Sequence, residues 1–321
     1  MKHPLARGLA ALALIACAGF TQAQDYPNHP LRVIVPFPPG GGGDVLMRPF
    51  GKKLTELLGQ PIIIDNRGGA NGNIGAEAVA KAVPDGYTFL LANNSLPISA
   101  TLYTKLNFDP LKHFIPVGLV ADTPSALVVH PSVPVRNVSE LLALARTKPG
   151  SLNFGSAGTG STPHLAIELL KKEAGVEMVH VPYKGSGPAV AAVLAGDVQV
   201  LVSNVGTVLA QIRADKLRAI AVTSARRAAV LPDVPTVGET VKGYESRTWY
   251  ALFAPAGTPP AAINKISGAI ATAMKAPDVN KQLVEMGYEP KPNTPAQMAT
   301  LYHEDIATWA KVIKLSGAKA E

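Results

Sequence analysis

Val33-Ile34-Val35-Pro36-Phe37-Pro38-Pro39-Gly40-Gly41-Gly42-Gly43-Asp44 runs from an apolar, β-branched segment through prolines into four glycines and ends on an acid. Val and Ile favour a pleated, half-buried surface, so the segment reads as a strand. Proline removes a ladder donor and ends it. Glycine lets backbone N–H groups approach a ligand closely and adopts φ > 0 where the turn needs it. Asp44 reads as the cap of a following helix. A helix N-terminus carries unpaired N–H donors and partial positive charge, so this strand–loop–helix unit suits an anion.

Working outward, a strand is expected over 31–37. A helix follows with Leu46, Phe50, Leu54, Leu57 and Leu58 on one face, closed by Gly59. Pro49 is too deep for a helix capped at Asp44, which predicts a kink or a late start. A buried strand is expected over 61–65, a short helix over 74–82 capped by Asn73, and a strand over 87–92 running into Asn93-Asn94-Ser95. Alternating strands and helices predict an α/β fold with mostly parallel sheets. Ligands of such sheets sit beyond the carboxyl ends of the strands. Strands over 117–121 and 126–130 flank Asp122-Thr123-Pro124, where the chain is expected to cross to a second domain.

The second half repeats the opening device twice. A strand ending at Gly155 leads into Ser156-Ala157-Gly158-Thr159-Gly160-Ser161, then a helix with Thr162 as cap and Pro163 at its first position. A strand over 178–182 leads into Tyr183-Lys184-Gly185-Ser186-Gly187, and Pro188 opens a helix ending at Gly196. Val198, Val200 and Val202 alternate as a strand that reaches Ser203-Asn204. A strand over 249–254 is expected to cross back to the first domain, followed by helices over 259–274, 277–286 and 294–315. One glycine loop is a weak signal, because tight turns need glycine for structural reasons. Three that open helices suggest donors aimed at one cleft.

Several chemistries fail on the residues. No loop ends in Gly-Lys-Ser/Thr, so a phosphate loop is excluded, and the spacing after Gly40 does not suit a dinucleotide. Phe154 replaces the first glycine that a nucleophile elbow requires before Ser156. His164 follows Ser161 closely, but in a first helical turn it reads as a loop-packing or ligand-orienting residue rather than a base. His29, His113, His130, His180 and His303 are isolated, with no metal-ligand spacing. Trp249, at the expected crossing, reads as a core aromatic, with a cleft-lining ring as the second reading.

The 321 residues are 47% hydrophobic and 17% charged, a globular composition long enough for two domains. Lys2 and Arg7, the apolar run over 9–20 and Thr21-Gln22-Ala23 form an export signal with cleavage before Gln24. Its apolar run is too short for a stable membrane span. The single cysteine, Cys17, lies inside it, so the mature chain has neither disulfides nor cysteine metal ligands. Leu14-Ile15-Ala16-Cys17 also loosely resembles a lipoprotein box, which would retain Cys17 as a lipidated N-terminus. Removing Lys2 and Arg7 lowers the net charge from +7 to +5. The basic residues are scattered, which argues against nucleic acid and fits a mild field that draws in small anions.

Val35-Pro36-Phe37-Pro38-Pro39-Gly40-Gly41 with Asp44, Asn66-Arg67-Gly68-Gly69-Ala70, Asn73-Ile74-Gly75-Ala76-Glu77 and Pro84-Asp85-Gly86-Tyr87-Thr88 resemble the Bug-type substrate-binding proteins. These are the extracytoplasmic receptors of tripartite tricarboxylate transporters. The match continues, in order, through Asn153-Phe154-Gly155-Ser156-Ala157-Gly158, Val181-Pro182-Tyr183-Lys184-Gly185, Leu231-Pro232-Asp233-Val234-Pro235-Thr236 and Phe253-Ala254-Pro255-Ala256-Gly257-Thr258-Pro259.

The resemblance implies a type II periplasmic-binding-protein fold with a ligand cleft between two α/β domains. After the leader at 1–23, the domains would be 24–123 with 247–321, and 124–246. It implies a first jaw of Phe37, Pro38, Gly40, Gly41, Gly42, Gly43 and Asp44, with Asn93 and Ser95 nearby. The opposite jaw would be Ser156, Ala157, Gly158, Thr159, Ser161, Thr162 and His164, with Tyr183, Gly185, Ser203 and Asn204. Many relatives carry Asp-Asn where this chain has Ser203-Asn204, which argues against an amino-acid ligand and for a dicarboxylate, tricarboxylate or aromatic acid. The implied protein is a periplasmic receptor, monomeric, without catalytic residues, metal or cofactor, handing its ligand to membrane transporter subunits. A periplasmic sensor feeding a signalling receptor and a secreted serine hydrolase are the alternatives.

Overall fold

The computed structural model describes residues 26–319; the export signal, its cleavage site and Cys17 lie outside them. Two sheets organise the chain. The first contains β1 (Leu31–Val35), β2 (Ile62–Asn66), β3 (Thr88–Asn93), β4 (Phe114–Thr123), β10 (Thr248–Pro255) and β11 (Glu289–Pro290), in the order β11-β4-β10-β3-β1-β2. The second contains β5 (Ser125–Val129), β6 (Asn153–Ser156), β7 (Val179–Pro182), β8 (Val200–Asn204) and β9 (Arg218–Val222), in the order β7-β6-β8-β5-β9. The chain passes between sheets at Pro124 and again between β9 and β10. We call the two halves lobe I and lobe II.

Both sheets are mixed rather than mostly parallel. β1, β2 and β3 are parallel, as are β6, β7 and β8, but β10 runs antiparallel to β3 and β4, and β5 antiparallel to β8 and β9. β5 and β10, which run antiparallel to both of their neighbours, each arrive from the other lobe instead of through a local helix.

Each sheet is covered on both faces, and the two-residue period of a strand divides its side chains between them. In β10, Tyr250, Leu252 and Ala254 join one core of lobe I, while Trp249, Ala251 and Phe253 join the other. In β5, Leu127 and Val129 face one core of lobe II and Ala126 and Val128 the second. A further cluster bridges the lobes. Ile98 and Leu102 of helix α3 (Ser95–Leu102) and Trp309, Val312 and Ile313 of helix α11 (Pro295–Ser316) pack with Leu165 of helix α5 (Thr162–Ala174).

Helices begin earlier than the cap residues suggest. Helix α1 (Gly42–Leu58) is capped by Gly41, so Asp44 lies inside its first turn and Pro49 is an internal residue of an unbroken helix. Ser161, not Thr162, caps α5. Helix α2 (Asn73–Ala80) is capped by Gly72, α4 (Val138–Thr147) by Asn137, and α6 (Ser186–Ala195) starts before Pro188. Helix α3 was not expected, because Ser95-Leu96-Pro97-Ile98 carries no helical alternation of polar and apolar residues. The remaining helices are α7 (Val205–Arg213), α8 (Val237–Thr240), α9 (Pro260–Lys275) and α10 (Pro277–Glu285).

Candidate functional site

A slot lies between the lobes, beyond the carboxyl ends of β1, β3, β6, β7 and β8. Lobe I lines it with Phe37, Pro38, Pro39 and Gly41–Gly43, with Asn93 and Ser95, and with Thr248 and Tyr250. Lobe II contributes Ala157, Ser161, Thr162, Pro163, Gly185–Pro188 and Asn204. The space is about 570 Å³ counted to its opening, and its walls stand close together, so the slot is narrow. That shape suits a slim or flat ligand.

Five helices begin at this slot, with first residues Gly42, Ser95, Thr162, Ser186 and Val205, the last capped by the lining residue Asn204. Each start offers unpaired N–H groups and the positive end of a helix dipole. No Asp, Glu, Lys, Arg or His side chain is among the lining residues. The slot is therefore electropositive through fixed amides rather than ionised groups. Two lining hydroxyls, Thr162 Oγ1 from lobe II and Thr248 Oγ1 from lobe I, are buried with no protein partner among the described residues.

The loop from Phe37 to Asp44 is held from behind. The Asp44 carboxylate accepts from the Gly40 N–H at 2.9 Å and from Arg48 Nη2 at 3.0 Å. Asp44 is 2% exposed and is not among the residues that line the slot. Gly40 is outside as well, since its donor is satisfied by Asp44. The Phe37 carbonyl accepts from Asn66 at 3.1 Å, and the Gly42 carbonyl from the Tyr288 hydroxyl at 2.7 Å.

Tyr250 and Asn204 close the floor. Asn204 Nδ2 of lobe II donates to Tyr250 Oη of lobe I at 2.7 Å, and Ser125 Oγ donates to Asn204 Oδ1 at 3.1 Å. Burial pushes the Tyr250 phenol well up, so it stays protonated. Gly42 sits against this pair: a Cβ there would overlap Tyr250 Oη and lie 2.6 Å from Asn204 Nδ2.

In lobe II the loop over 157–161 is braced by a stack of aromatic rings. Ser161 Oγ donates to the Gly158 carbonyl at 2.7 Å, and the Gly160 N–H donates to His164 Nδ1 at 3.0 Å. The His164 ring stacks on His180 at 3.9 Å between centroids, and His180 on Phe154 at 4.9 Å. Ser156 Oγ is 2.6 Å from His180 Nε2. Burial, then the neighbouring His180 and Lys171, hold His164 down to about 3. Burial and Lys171 hold His180 down to about 4. Both rings are neutral at pH 7, and His164 braces the loop without reaching the ligand space.

This stack sets an acid limit. In the unfolded chain each ring titrates near 6.5, so as pH falls below that value the unfolded state takes up protons first. The stabilisation is complete above pH 6.5 and is lost as pH falls toward the folded values. Between pH 6.5 and 5 the His164 contribution alone falls by about 2 kcal/mol, at about 1.4 kcal/mol per pH unit. Thermal melts of His164→Gln, whose amide can still accept from Gly160, should show a shallower loss of Tm over this interval than the wild type. An equal slope would contradict the account.

The remaining expected residues divide. Phe37, Pro38, Gly41, Gly42, Gly43, Asn93, Ser95, Ala157, Ser161, Thr162, Gly185 and Asn204 come together around the slot. Ser156, Gly158, Thr159, His164, Tyr183 and Ser203 do not line it. Ser156 and Gly158 shape the loop, and the Tyr183 ring lies against Gly155. Ser203 is buried in β8 beside its slot-lining neighbour, because adjacent strand residues point to opposite faces. Thr248 and Tyr250 were missed for the same reason. The crossing at 247–249 was noticed, but Trp249 between them is fully buried in a core of lobe I.

The profile of the family described as "Tripartite tricarboxylate transporter family receptor" matches residues 46–318. The chain is 37% identical to Protein BugT of Bordetella pertussis, over 98% of this chain and 99% of that protein. A protein of Rhodopseudomonas palustris solved with adipate superposes with a TM-score of 0.89 at 36% identity, covering 92% of this chain and 99% of that one. MatC of the same organism, solved with bound malate, gives a TM-score of 0.84 at 32% identity, covering 90% and 100%. The periplasmic binding protein BugD gives 0.87 at 31% identity, covering 92% and 100%.

Proposed function

As the chain belongs to the family of tripartite tricarboxylate transporter receptors and is thereby a periplasmic binding protein for a small carboxylate, we propose that it captures a slim dicarboxylate in the slot between its lobes. The observation that carries this reading is the convergence of five helix starts on a narrow cavity without an ionised side chain. An anion is stabilised there by amide donors, and a ligand amine finds no carboxylate to pair with. This gives the exclusion of amino acids a firmer basis than Ser203, which is outside the slot.

The N–H groups at Gly42, Gly43 and Ser186 and the hydroxyls of Thr162 and Thr248 take the carboxylates. Phe37, Pro38, Pro163 and Pro188 flank the carbon chain. Capture ends in closure of the lobes, the form that a membrane transporter would receive. The domain limits are 24–123 with 247–321, and 124–246. The chain is exported by its segment 1–23 and acts as a monomer without catalysis. In support of the last point, Ser156 has a histidine beside it but is fully buried and outside the slot.

A thermal-shift screen tests the reading. A ligand that binds only the folded state at 100 times its Kd adds about 2.7 kcal/mol to stability. Adipate, malate or another dicarboxylate should raise Tm by several degrees, and aspartate and glutamate should not. A shift with an amino acid and none with any dicarboxylate would overturn it.

A further inference from the structure

We infer that Asn71 is a positioning residue for ligand capture, tying the slot-lining Ser95 of lobe I to the site loop of lobe II so that closure and occupancy of the slot are coupled. The inference rests on the carboxylate-receptor reading for its ligand, but not for its geometry. Ser95 Oγ donates to Asn71 Oδ1 at 3.2 Å, and Asn71 Nδ2 donates to the Gly160 carbonyl of lobe II at 3.0 Å. The Gly160 N–H continues the line to His164. A single amide thus connects a residue that faces the ligand with the loop that carries Ala157 and Ser161.

The backbone around Asn71 is bent to place that amide. Gly69, Ala70, Asn71 and Gly72 all have positive φ, at 124°, 47°, 54° and 91°. Left-handed backbone is unfavourable for alanine and is better tolerated by asparagine, so the segment is ordered against its local preference. Asparagine is the residue that tolerates this conformation and also presents an acceptor and a donor at the end of a short side chain. Aspartate tolerates it but lacks the donor, and glycine relieves it but has no side chain. Gly160 is matched to the contact. A Cβ on it would overlap the Leu102 side chain of lobe I, so that side chain packs directly on the lobe II backbone here.

Asn71→Gly and Asn71→Asp in the mature chain test the inference. A merely structural Asn71 predicts a lower Tm for the ligand-free Asn71→Gly protein and unchanged ligand release. Coupling predicts a ligand-free Tm equal to or above wild type, since glycine relieves the strained φ, together with faster release. By stopped-flow with adipate and with malate, koff should rise about tenfold in Asn71→Gly, as expected for lost hydrogen bonds, and at least as much in Asn71→Asp. Spin labels at the exposed positions of K81C and K172C, one on each lobe, read closure without ligand. The interlobe distance should lengthen in ligand-free Asn71→Gly relative to wild type. Unchanged koff and unchanged distance in both variants would overturn the inference. If the wild type binds neither acid, the carboxylate reading fails while the label distances still decide the role of Asn71.

Discussion

Gly42→Ala is expected to weaken dicarboxylate binding about 5- to 150-fold. The added methyl group would occupy the position of Tyr250 Oη and crowd Asn204 Nδ2, the two ends of the hydrogen bond that joins the lobes at the floor. Neither neighbour is free to move away, since Tyr250 is 3% and Asn204 9% exposed. Overpacking of this kind costs about 1–3 kcal/mol, and about 1.4 kcal/mol is tenfold in affinity. The clash with Asn204 of lobe II falls on the closed form alone, whereas the clash with Tyr250, in the same lobe as Gly42, is present whether or not the lobes close. The ligand-free protein should therefore also melt below wild type, because the better helix propensity of alanine offsets only part of the overpacking against Tyr250. Calorimetric titration alongside a melt separates the two effects, and a Kd within threefold of wild type would refute the assignment of Gly42.

The second large effect is expected at Trp309→Ala. Trp309 packs with Ile98 and Leu102 of its own lobe and with Leu165 of the other. Replacing a buried tryptophan by alanine costs about 3–5 kcal/mol. In a chain of this size that lowers Tm by roughly 6–12 °C. Urea unfolding followed by circular dichroism measures it, and a loss below about 1 kcal/mol would show that the cluster is not a structural seam.

The alternation of strands and helices was readable because β-branched runs, glycine stops and proline starts mark it locally. So were the loops after β1, β6 and β7, whose glycines have few other uses in that arrangement. Parity was not readable. Both Ser203 against Asn204 and Trp249 against its two neighbours turn on which face of a strand a side chain takes, and the register with neighbouring strands of the same sheet sets that. Asp44 reads as a helix cap from its position, and the resemblance alone puts it in the first jaw. Only the structure shows Arg48 and the Gly40 N–H already holding it. Helix α3 and the His164–His180 stack are invisible for a similar reason: their partners are far away in the chain.

The uncharged lining also bears on the surroundings in which such a receptor works. The compartment outside the inner membrane shares the acidity of the medium, and the cell cannot buffer it closely. A grip made of amides, hydroxyls and a tyrosine held in its protonated form neither gains nor loses a proton as the medium drifts from mildly acid to alkaline. The ligand's own carboxyls and the histidine stack behind the lobe II loop do respond. The working range on the acid side is thus set by the scaffold and the solute, and the contact surface between them is the part that stays constant.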